Sequence, residues 1–174
     1  MNETIRVMME RRSCRKYTDE QVDEEDLQDI LMAGTFAASG MDRQPSQMVV
    51  LQDPEEIREV EKLNAKVMGN EDAHPFYGAP TVVIVFADKN VNTYVQDGNL
   101  VIGNLMNAAW ALHVDSCYIN RAKEVFQMPE GKALMAKWGV AENMEGIGNV
   151  ILGYAAEGGK KLPSRRKENY IIMR

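Results

Sequence analysis

Thr81-Val82-Val83-Ile84-Val85-Phe86-Ala87 is an unbroken, almost wholly apolar run of strand length near the middle of the chain. Such a run is typical of a central strand that is buried on both faces. A helix is predicted on each side of it along the chain. The first follows the capping sequence Asp53-Pro54-Glu55-Glu56, and the second, residues 97–113, is the most hydrophobic helix that the sequence predicts. A buried strand between two helices predicts a sheet that is covered by helices.

The remaining segments continue the alternation of helices and strands. Apolar spacing predicts helices over residues 3–12, 23–33, 121–127 and 130–138, and strands over residues 47–51, 116–120 and 149–154. Asn2 and Asp23 are the predicted N-caps of the first two helices, and Gly34 is the predicted end of the second. This order predicts an α+β or α/β sandwich with helices on both faces of one sheet.

A chain of 174 residues is most simply one domain. We divide it into a core, residues 1–154, and a C-terminal arm of the same domain, residues 155–174. The arm is polar but ends in Tyr170-Ile171-Ile172-Met173. A polar arm with a β-prone apolar end often docks as a strand on a neighbouring chain.

Charge and composition argue against several classes of function. The formal net charge is −6, from 20 Lys and Arg against 26 Asp and Glu, which disfavours a general nucleic-acid or membrane-surface role. No apolar run is long enough to span a bilayer, and the N-terminus lacks the apolar core of a signal peptide. Cys14 and Cys117 have no metal-ligand spacing, which indicates a reduced compartment. We therefore expect a cytoplasmic protein with no nucleic-acid, membrane or metal partner.

Two basic clusters stand out against this acidic background. The first is Arg11-Arg12-Ser13-Cys14-Arg15-Lys16-Tyr17, and the second, in the arm, is Pro163-Ser164-Arg165-Arg166-Lys167. Guanidinium groups give a phosphate paired, charge-assisted hydrogen bonds, and a hydroxyl adds one more donor. The alternatives are a solvated helix end for the first cluster and a solvated charge run for the second. Arginines around Cys14 would favour a thiolate there, but a thiol in such a place is more often incidental packing.

A third segment, Ala38-Ser39-Gly40-Met41-Asp42-Arg43-Gln44-Pro45-Ser46, is a loop of small and polar residues that leads into a strand. Together the three segments resemble the nitroreductase family of flavin mononucleotide (FMN)-dependent oxidoreductases. The order of elements fits that family over nearly the full length of the chain. Ser39 and Gln44-Pro45 match the family's pattern in this loop, whereas Ala38, Asp42 and Ser46 replace its usual proline, asparagine and aromatic residue.

The resemblance implies an FMN site made from all three segments. It assigns the phosphate and ribityl chain to the first cluster, with the arm closing on the same phosphate, and it assigns the isoalloxazine ring to the loop. An amide such as Gln44 both donates and accepts hydrogen bonds, which suits the edge of that ring. The backbone of Ile119 and Asn120 is expected near flavin N5. The implied cofactor-binding residues are Arg11, Arg12, Ser13, Arg15, Ser39, Gly40, Asp42, Gln44, Arg165 and Lys167.

The resemblance also implies a fold and an activity. The fold is an α+β three-layer sandwich, in which helices flank a central, mostly antiparallel sheet and the C-terminal arm is exchanged in a homodimer. The activity is hydride transfer from NADH or NADPH to the flavin, followed by electron transfer to a nitroaromatic, quinone or similar small acceptor in a ping-pong mechanism. The short stretch between Asn120 and Gly146 and the missing aromatic at Ser46 leave one alternative. It is an FMN-binding module with a sensing, storage or partner role and no efficient NAD(P)H turnover.

Other motifs in the chain do not support a different function. Gly146-x-Gly148 has the wrong spacing and context for a dinucleotide fingerprint, and Gly159-Lys160-Lys161 lacks the hydroxyl and upstream glycine of a P-loop. His74 and His113 are isolated and have no zinc-ligand spacing. A small nucleic-acid-binding domain conflicts with the acidic total and lacks aromatic residues among the basic ones.

Overall fold

A sheet of four strands forms the centre of the computed structural model, which describes residues 1–160 and 170–173. The strands are β1 (Ser46–Leu51), β2 (Thr81–Asp88), β3 (Asp115–Ile119) and β4 (Met144–Gly153). They lie in the order β1-β2-β4-β3, and each neighbouring pair is antiparallel. Residues 81–87 of β2 are all buried, which confirms the predicted central strand.

Helices cover both faces of this sheet. The described residues form α1 (Glu3–Glu10), α2 (Glu24–Thr35), α3 (Pro54–Met68), α4 (Tyr94–Ala111), α5 (Ala122–Gln127) and α6 (Pro129–Lys137). Side chains alternate along a strand, so Ile84 and Phe86 of β2 pack under α3, α5 and α6. Val83 and Val85 pack on the opposite face under α2 and α4. The predicted three-layer α+β sandwich with an antiparallel centre is therefore confirmed.

The helix starts follow local capping rules. Asn2, Asp23 and Asp53 each accept a hydrogen bond from the backbone N–H two residues later, and so cap α1, α2 and α3. Each cap satisfies one N–H that has no partner inside its helix. The sequence identified these starts correctly because the interaction is local.

The start of β4 was predicted wrongly. The strand begins at Met144 rather than at residue 149. Two glycines gave this stretch the character of a loop in the sequence, but both are needed for close packing. A Cβ on Gly146 would lie 2.7 Å from the carbonyl oxygen of Ala122, and a Cβ on Gly148 would lie 2.7 Å from the hydroxyl of Tyr118. Glycine here marks a close approach of neighbouring chain segments rather than a strand end.

Two predicted helix ends are also wrong. α2 continues through Gly34 to Thr35, and a Cβ on Gly34 would lie 2.8 Å from a side-chain carbon of Leu105 on α4. This glycine therefore allows two helices to pack closely and does not end one. α1 ends at Glu10 rather than at residue 12, which leaves Arg11 and Arg12 outside the helix.

The chain after α1 runs as an extended segment beside β3. The backbone N–H of Cys14 donates to the carbonyl of Ser116 at 3.0 Å. The N–H of Arg15 donates to the carbonyl of Gly159 at 2.9 Å, so the chain beyond β4 holds the segment from its other side. The first basic cluster is thereby fixed at the edge of the sheet. No helix within residues 1–160 or 170–173 is long and apolar enough to cross a membrane.

Candidate functional site

The first basic cluster presents two kinds of arginine. Arg15 is exposed on the extended segment, and Arg11 is half-buried at the end of α1. Arg12 turns back, and its Nη1 donates to the carbonyls of Met9 at 2.8 Å and Arg11 at 2.7 Å. A basic group is favoured at the negative end of a helix. Arg11, Ser13 and Arg15 therefore lie on one short segment after α1, while part of the Arg12 guanidinium caps α1.

Cys14 points away from this cluster and into the core. Its side chain is fully buried, and its Sγ donates to the carbonyl of Lys16 at 3.2 Å. Burial raises the pKa of the Cys14 thiol. The structure therefore supports incidental packing of Cys14, the interpretation that the sequence favoured, over a thiolate activated by arginines. The neighbouring arginines are close in sequence, but the extended backbone directs Arg15 to solvent and Cys14 inward.

Lys160 is a basic residue beside the first cluster that the sequence analysis did not assign to the site. Its backbone forms a bridge with Cys14, and its Nζ lies 3.0 Å from Oδ1 of the nearly buried Asp115. The same ammonium lies 5.4 Å from the ring centroid of Trp110 near the end of α4. These contacts fix Lys160 in place and offset its charge. Its partners lie 45 and 50 residues away in the sequence, so no local pattern pointed to it.

The polar loop is held by a buried carboxylate on α4. The backbone N–H of Gly40 donates to Oδ1 of Asp97 at 3.0 Å, and the hydroxyl of Thr93 donates to Oδ2 at 2.7 Å. A Cβ on Gly40 would lie 2.5 Å from the Thr93 hydroxyl, so the position requires glycine. Asp97 is 4% exposed. It is a candidate site residue that sequence reasoning missed, since it lies inside an apolar helix.

Within the loop, three predicted site residues bond to one another. The side chain of Ser39 accepts a hydrogen bond from the backbone N–H of Gln44 at 3.1 Å. The Gln44 Nε2 donates to Oδ1 of Asp42 at 2.9 Å. Asp42, which replaces the asparagine usual in the family, therefore orients the Gln44 carboxamide. The carbonyl oxygen of that amide remains an acceptor for a ligand.

The loop backbone is strained. Met41, Asp42 and Gln44 have φ values of 53°, 54° and 46°, in the left-handed region that non-glycine residues rarely adopt. Each such residue costs on the order of 1–2 kcal/mol. Strain of this kind concentrates at ligand sites, where the surrounding contacts hold it. Beside the loop lies a cavity of about 170 Å³. It is lined in part by Ser39, Gln44, Ser46, Met48 and Asp97.

A third turn, at the end of β3, is fixed by buried amides. The Nδ2 of Asn64 donates to the carbonyl of Asn120 at 2.9 Å, and the Nδ2 of Asn149 donates to the carbonyl of Ile119 at 3.1 Å. Both amides are fully buried. Arg121 follows in a left-handed conformation, with φ of 76°, and its Nε donates to Oδ1 of Asn64 at 2.9 Å. The backbone of Ile119 and Asn120 therefore has a single, well-determined direction.

The first cluster and the loop lie at diagonally opposite corners of the sheet. At one corner, Ser13 forms a bridge with Ser116 of β3, and Ser116 pairs with Leu152 of β4. At the other corner, the loop enters β1 at Ser46. Ser46 pairs with Ala87 of β2, and Ala87 pairs with Glu145 of β4. Seven residues of β4 and three strand spacings separate these corners, a diagonal of about 27 Å. α4, with 18 residues, spans about the same distance. The structure therefore does not bring all the predicted site residues together within one chain.

The predicted contribution of the arm lies outside the described residues. This applies to Arg165 and Lys167, and to Arg166 between them. Their assignment to a phosphate stays a prediction.

Comparison with known proteins identifies the family to which this chain belongs. The chain belongs to the nitroreductase family, a family of oxidoreductases whose model matches residues 8–154. A relative in Archaeoglobus fulgidus, provisionally named NADH dehydrogenase/NAD(P)H nitroreductase, is 30% identical over 159 residues, 88% of this chain and 86% of the relative.

Two solved structures have the same fold over nearly the whole chain. A nitroreductase with bound FMN from Bacteroides fragilis is 29% identical, with a TM-score of 0.91 and coverage of 99% of each chain. A nitroreductase with bound FMN from Desulfitobacterium hafniense is 26% identical, with a TM-score of 0.87 and coverage of 99% of this chain and 98% of that one. The family resemblance found in the sequence is therefore confirmed.

Proposed function

We propose that this protein is an FMN-dependent oxidoreductase that works as a homodimer. It takes a hydride from NADH or NADPH and passes electrons to a small electron-poor acceptor such as a nitroaromatic or a quinone. The main support is the likeness over 99% of the chain to a nitroreductase with bound FMN. The residues of this chain also fit FMN, for reasons that differ at the two corners of the sheet.

The first cluster suits the phosphate end of FMN. Arg11 and Arg15 supply positive charge on a chain whose net charge is −6. The Nε of Arg12 and the hydroxyl of Ser116 are buried and have no hydrogen-bond partner among the residues that the structure describes. Buried polar atoms without partners are rare in folded proteins, and a bound anion gives such donors a partner.

The loop suits the ring end of FMN. Asp42 holds the Gln44 amide, Asp97 holds the backbone at Gly40, and the hydroxyl of Ser46 is buried without a partner within the described residues. Gln44, Ser46 and Asp97 all line the cavity beside the loop. Convergent polar groups in a small preformed cavity are typical of a site that orients a flat, polar-edged ligand.

The separation of the two corners supports a homodimer. A diagonal of about 27 Å is longer than one FMN molecule, which supports a site whose two ends come from different chains. In a homodimer, a twofold axis places the first cluster of each protomer beside the loop of its partner, which gives two equivalent sites. Exposed apolar side chains on α1 and α4 support such an interface: Ile5, Met8, Met9, Val95 and Leu100.

Bound FMN supplies the chemistry, because the flavin accepts a hydride and releases electrons one or two at a time. The chain binds and orients it. Asn64 and Asn149 fix the turn at Ile119 and Asn120, which the family resemblance assigns to the neighbourhood of flavin N5. A backbone N–H held in one direction stabilises charge without reorganising. The described side chains offer no evident general acid, so we assign the transferred protons to water.

The test is the visible spectrum of the purified protein under anaerobic conditions. We expect flavin bands that bleach on addition of NADH or NADPH and return on addition of a quinone. Heat release and chromatography should identify the flavin as FMN. Recovery of FAD alone, or failure of the apoprotein to take up FMN at micromolar concentration, contradicts the cofactor assignment. A flavin that neither nicotinamide reduces favours the alternative of an FMN-binding module.

A further inference from the structure

A second and larger cavity lies between α5, α6 and the start of β4. Its volume is about 550 Å³, within the range of small-molecule sites. None of its lining residues belongs to the first basic cluster or to the polar loop. We call it the α5–α6 groove. Its lining residues are Lys89, Lys123, Phe126, Gln127, Lys132, Met135, Ala136, Val140, Glu142, Met144, Glu145 and Gly146.

The walls of the groove are rigid. A Cβ on Gly131 of α6 would overlap the carbonyl of Val125, and a Cβ on Gly146 would press on the carbonyl of Ala122. Glycine therefore allows α6 and β4 to approach α5 more closely than any other residue would. Phe126 lines the groove, and its ring centroid lies 4.8 Å from that of Phe86 and 5.9 Å from that of Trp138. The groove is thus formed before any ligand enters.

The carboxylate of Glu145 on the wall is already compensated. Its Oε1 accepts from the Tyr94 hydroxyl at 2.8 Å and lies 3.0 Å from Nζ of Lys123, and its Oε2 accepts from Gln127. Burial acts to raise the pKa of Glu145, but the hydrogen bonds from Lys123 and Tyr94 outweigh it and lower the pKa. Lys123 and Glu145 therefore form a closed ion pair that leaves little net charge for a ligand.

The two other lysines remain available. Lys89 donates to the backbone carbonyl of Glu142 at 3.1 Å, which leaves other ammonium hydrogens unused. Lys132 makes no hydrogen bond or ion pair with any residue in the described part of the chain. Phe126, Met135 and Met144 also line the groove. Three lysines and two glutamates give the lining a formal charge of +1, in a chain whose net charge is −6.

We propose that the α5–α6 groove is a second binding site, for a small amphipathic anion. The apolar body of the ligand packs on Phe126, Met135 and Met144, and its single anionic group binds Lys89 and Lys132. The methionines suit ligands of varied shape, because their side chains are flexible and polarisable. This inference is independent of the flavin proposal, since the two sites share no residue.

Isothermal titration calorimetry of the purified protein, with excess FMN, tests whether binding requires a negative charge on the ligand. The probe is 1-naphthoate, and 1-naphthamide is its neutral analogue of the same shape. We expect the acid to bind at least about tenfold more tightly than the amide, since it gains charge-assisted contacts. The double variant Lys89→Gln/Lys132→Gln should lose at least about tenfold in affinity for naphthoate. Lys62→Gln, on the exposed face of α3, is the matched control and should bind like the wild type.

Methyl NMR with labelled methionine locates the probe. Met135 and Met144 line the groove, whereas Met48 lines the cavity beside the loop. We expect naphthoate to shift the Met135 and Met144 signals and to leave Met48 unchanged. Equal affinity for acid and amide, unchanged affinity in the double variant, shifts at Met48 alone, or no binding at about 1 mM probe each overturn the proposal.

Discussion

The backbone N–H of Gly40 donates a 3.0 Å hydrogen bond to the carboxylate of Asp97, 57 residues further along the chain. This bond ties the strained loop to the first turns of α4. The Asp97 carboxylate also accepts from the Thr93 hydroxyl at 2.7 Å, so its negative charge is shared between two donors. The position of the loop is therefore a property of α4 rather than of the loop alone.

Asp97→Ala should destabilise the protein and loosen the loop. The substitution leaves the Gly40 N–H without its buried partner, which costs about 1–3 kcal/mol in the free energy of unfolding. Asp97→Asn keeps an acceptor and should cost less. Urea denaturation measures the free energy of unfolding of the two variants, and titration with FMN measures whether the loosened loop weakens cofactor binding. Equal stability of wild type and Asp97→Ala would show that the bond does not hold the loop.

Arg15→Ala should weaken FMN binding without destabilising the apoprotein. Loss of one charge-assisted phosphate contact costs about 1.5–3 kcal/mol, which is roughly a tenfold to hundredfold rise in the dissociation constant. An exposed arginine contributes little to folding by itself. Arg11→Ala should weaken FMN binding to a similar degree. Arg58→Ala on α3 is the control, since its side chain is exposed and remote from the cluster. Unchanged FMN affinity in both cluster variants would remove the phosphate assignment.

A mixed dimer should recover one intact flavin site. Arg15→Ala damages the first cluster, and Gln44→Gly removes the loop amide while glycine tolerates the left-handed backbone. The homodimer of each single variant should bind FMN weakly. In a mixed dimer both defects fall in one site, and the other site takes its two halves from undamaged regions. We expect co-expressed, differently tagged chains to retain about half of the wild-type FMN per dimer. No recovery would place both halves of each site in one protomer.

Leu100→Glu should dissociate the dimer and release FMN. Leu100 is 49% exposed on α4, and a charge buried at the interface without a partner is strongly unfavourable. Met68→Glu is a matched control because Met68 is 51% exposed but lies at the end of α3, on the other side of the sheet. Sedimentation at low micromolar concentration measures both. A monomer that retains FMN and activity would end the dimer proposal.

Tyr17→Phe should change how stability depends on pH. Burial raises the pKa of Tyr17 above its usual value near 10. The folded state therefore keeps the proton longer than the unfolded state does. The stabilisation that this pKa shift contributes is fully present below pH 10. Above pH 10 it falls by up to about 1.4 kcal/mol per pH unit.

The variant lacks both this pH-dependent loss and the 3.2 Å hydrogen bond from the Tyr17 hydroxyl to the Cys14 carbonyl. It should be less stable by about 0.5–1.5 kcal/mol at pH 7 and should lose less stability above pH 10. Urea midpoints at pH 7, 9 and 10.5 check this. Parallel pH profiles would mean that Tyr17 ionises as easily in the folded state as in the unfolded one.

Local interactions were predictable from the sequence, and distant ones were not. The caps at Asn2 and Asp53 and the buried run of β2 depend on neighbouring residues, so their patterns were sufficient. The start of β4 was missed because Gly146 responds to Ala122, which lies elsewhere in the chain. Asp97 was missed for the same reason, since only the folded chain brings it to Gly40.

The candidate site shows the same division. The resemblance to the nitroreductase family was enough to propose Arg11, Ser13, Arg15 and Gln44 as candidates. Their placement on opposite corners follows from strand order and register, which the sequence does not specify. The direction of the Cys14 side chain, which decides between packing and activation, depends on the backbone bridge to Lys160.

The left-handed residues of the loop set limits on protein engineering. Met41 is 77% exposed, and glycine at that position relieves about 1–2 kcal/mol of backbone strain, partly offset by a more flexible unfolded chain. The same exchange at Asp42 or Gln44 relieves similar strain but removes the hydrogen bond between their side chains. A search for heat-resistant variants that scores only the backbone strain of the folded state will therefore favour glycine at all three positions. At two of them it will remove side chains of the proposed cofactor site.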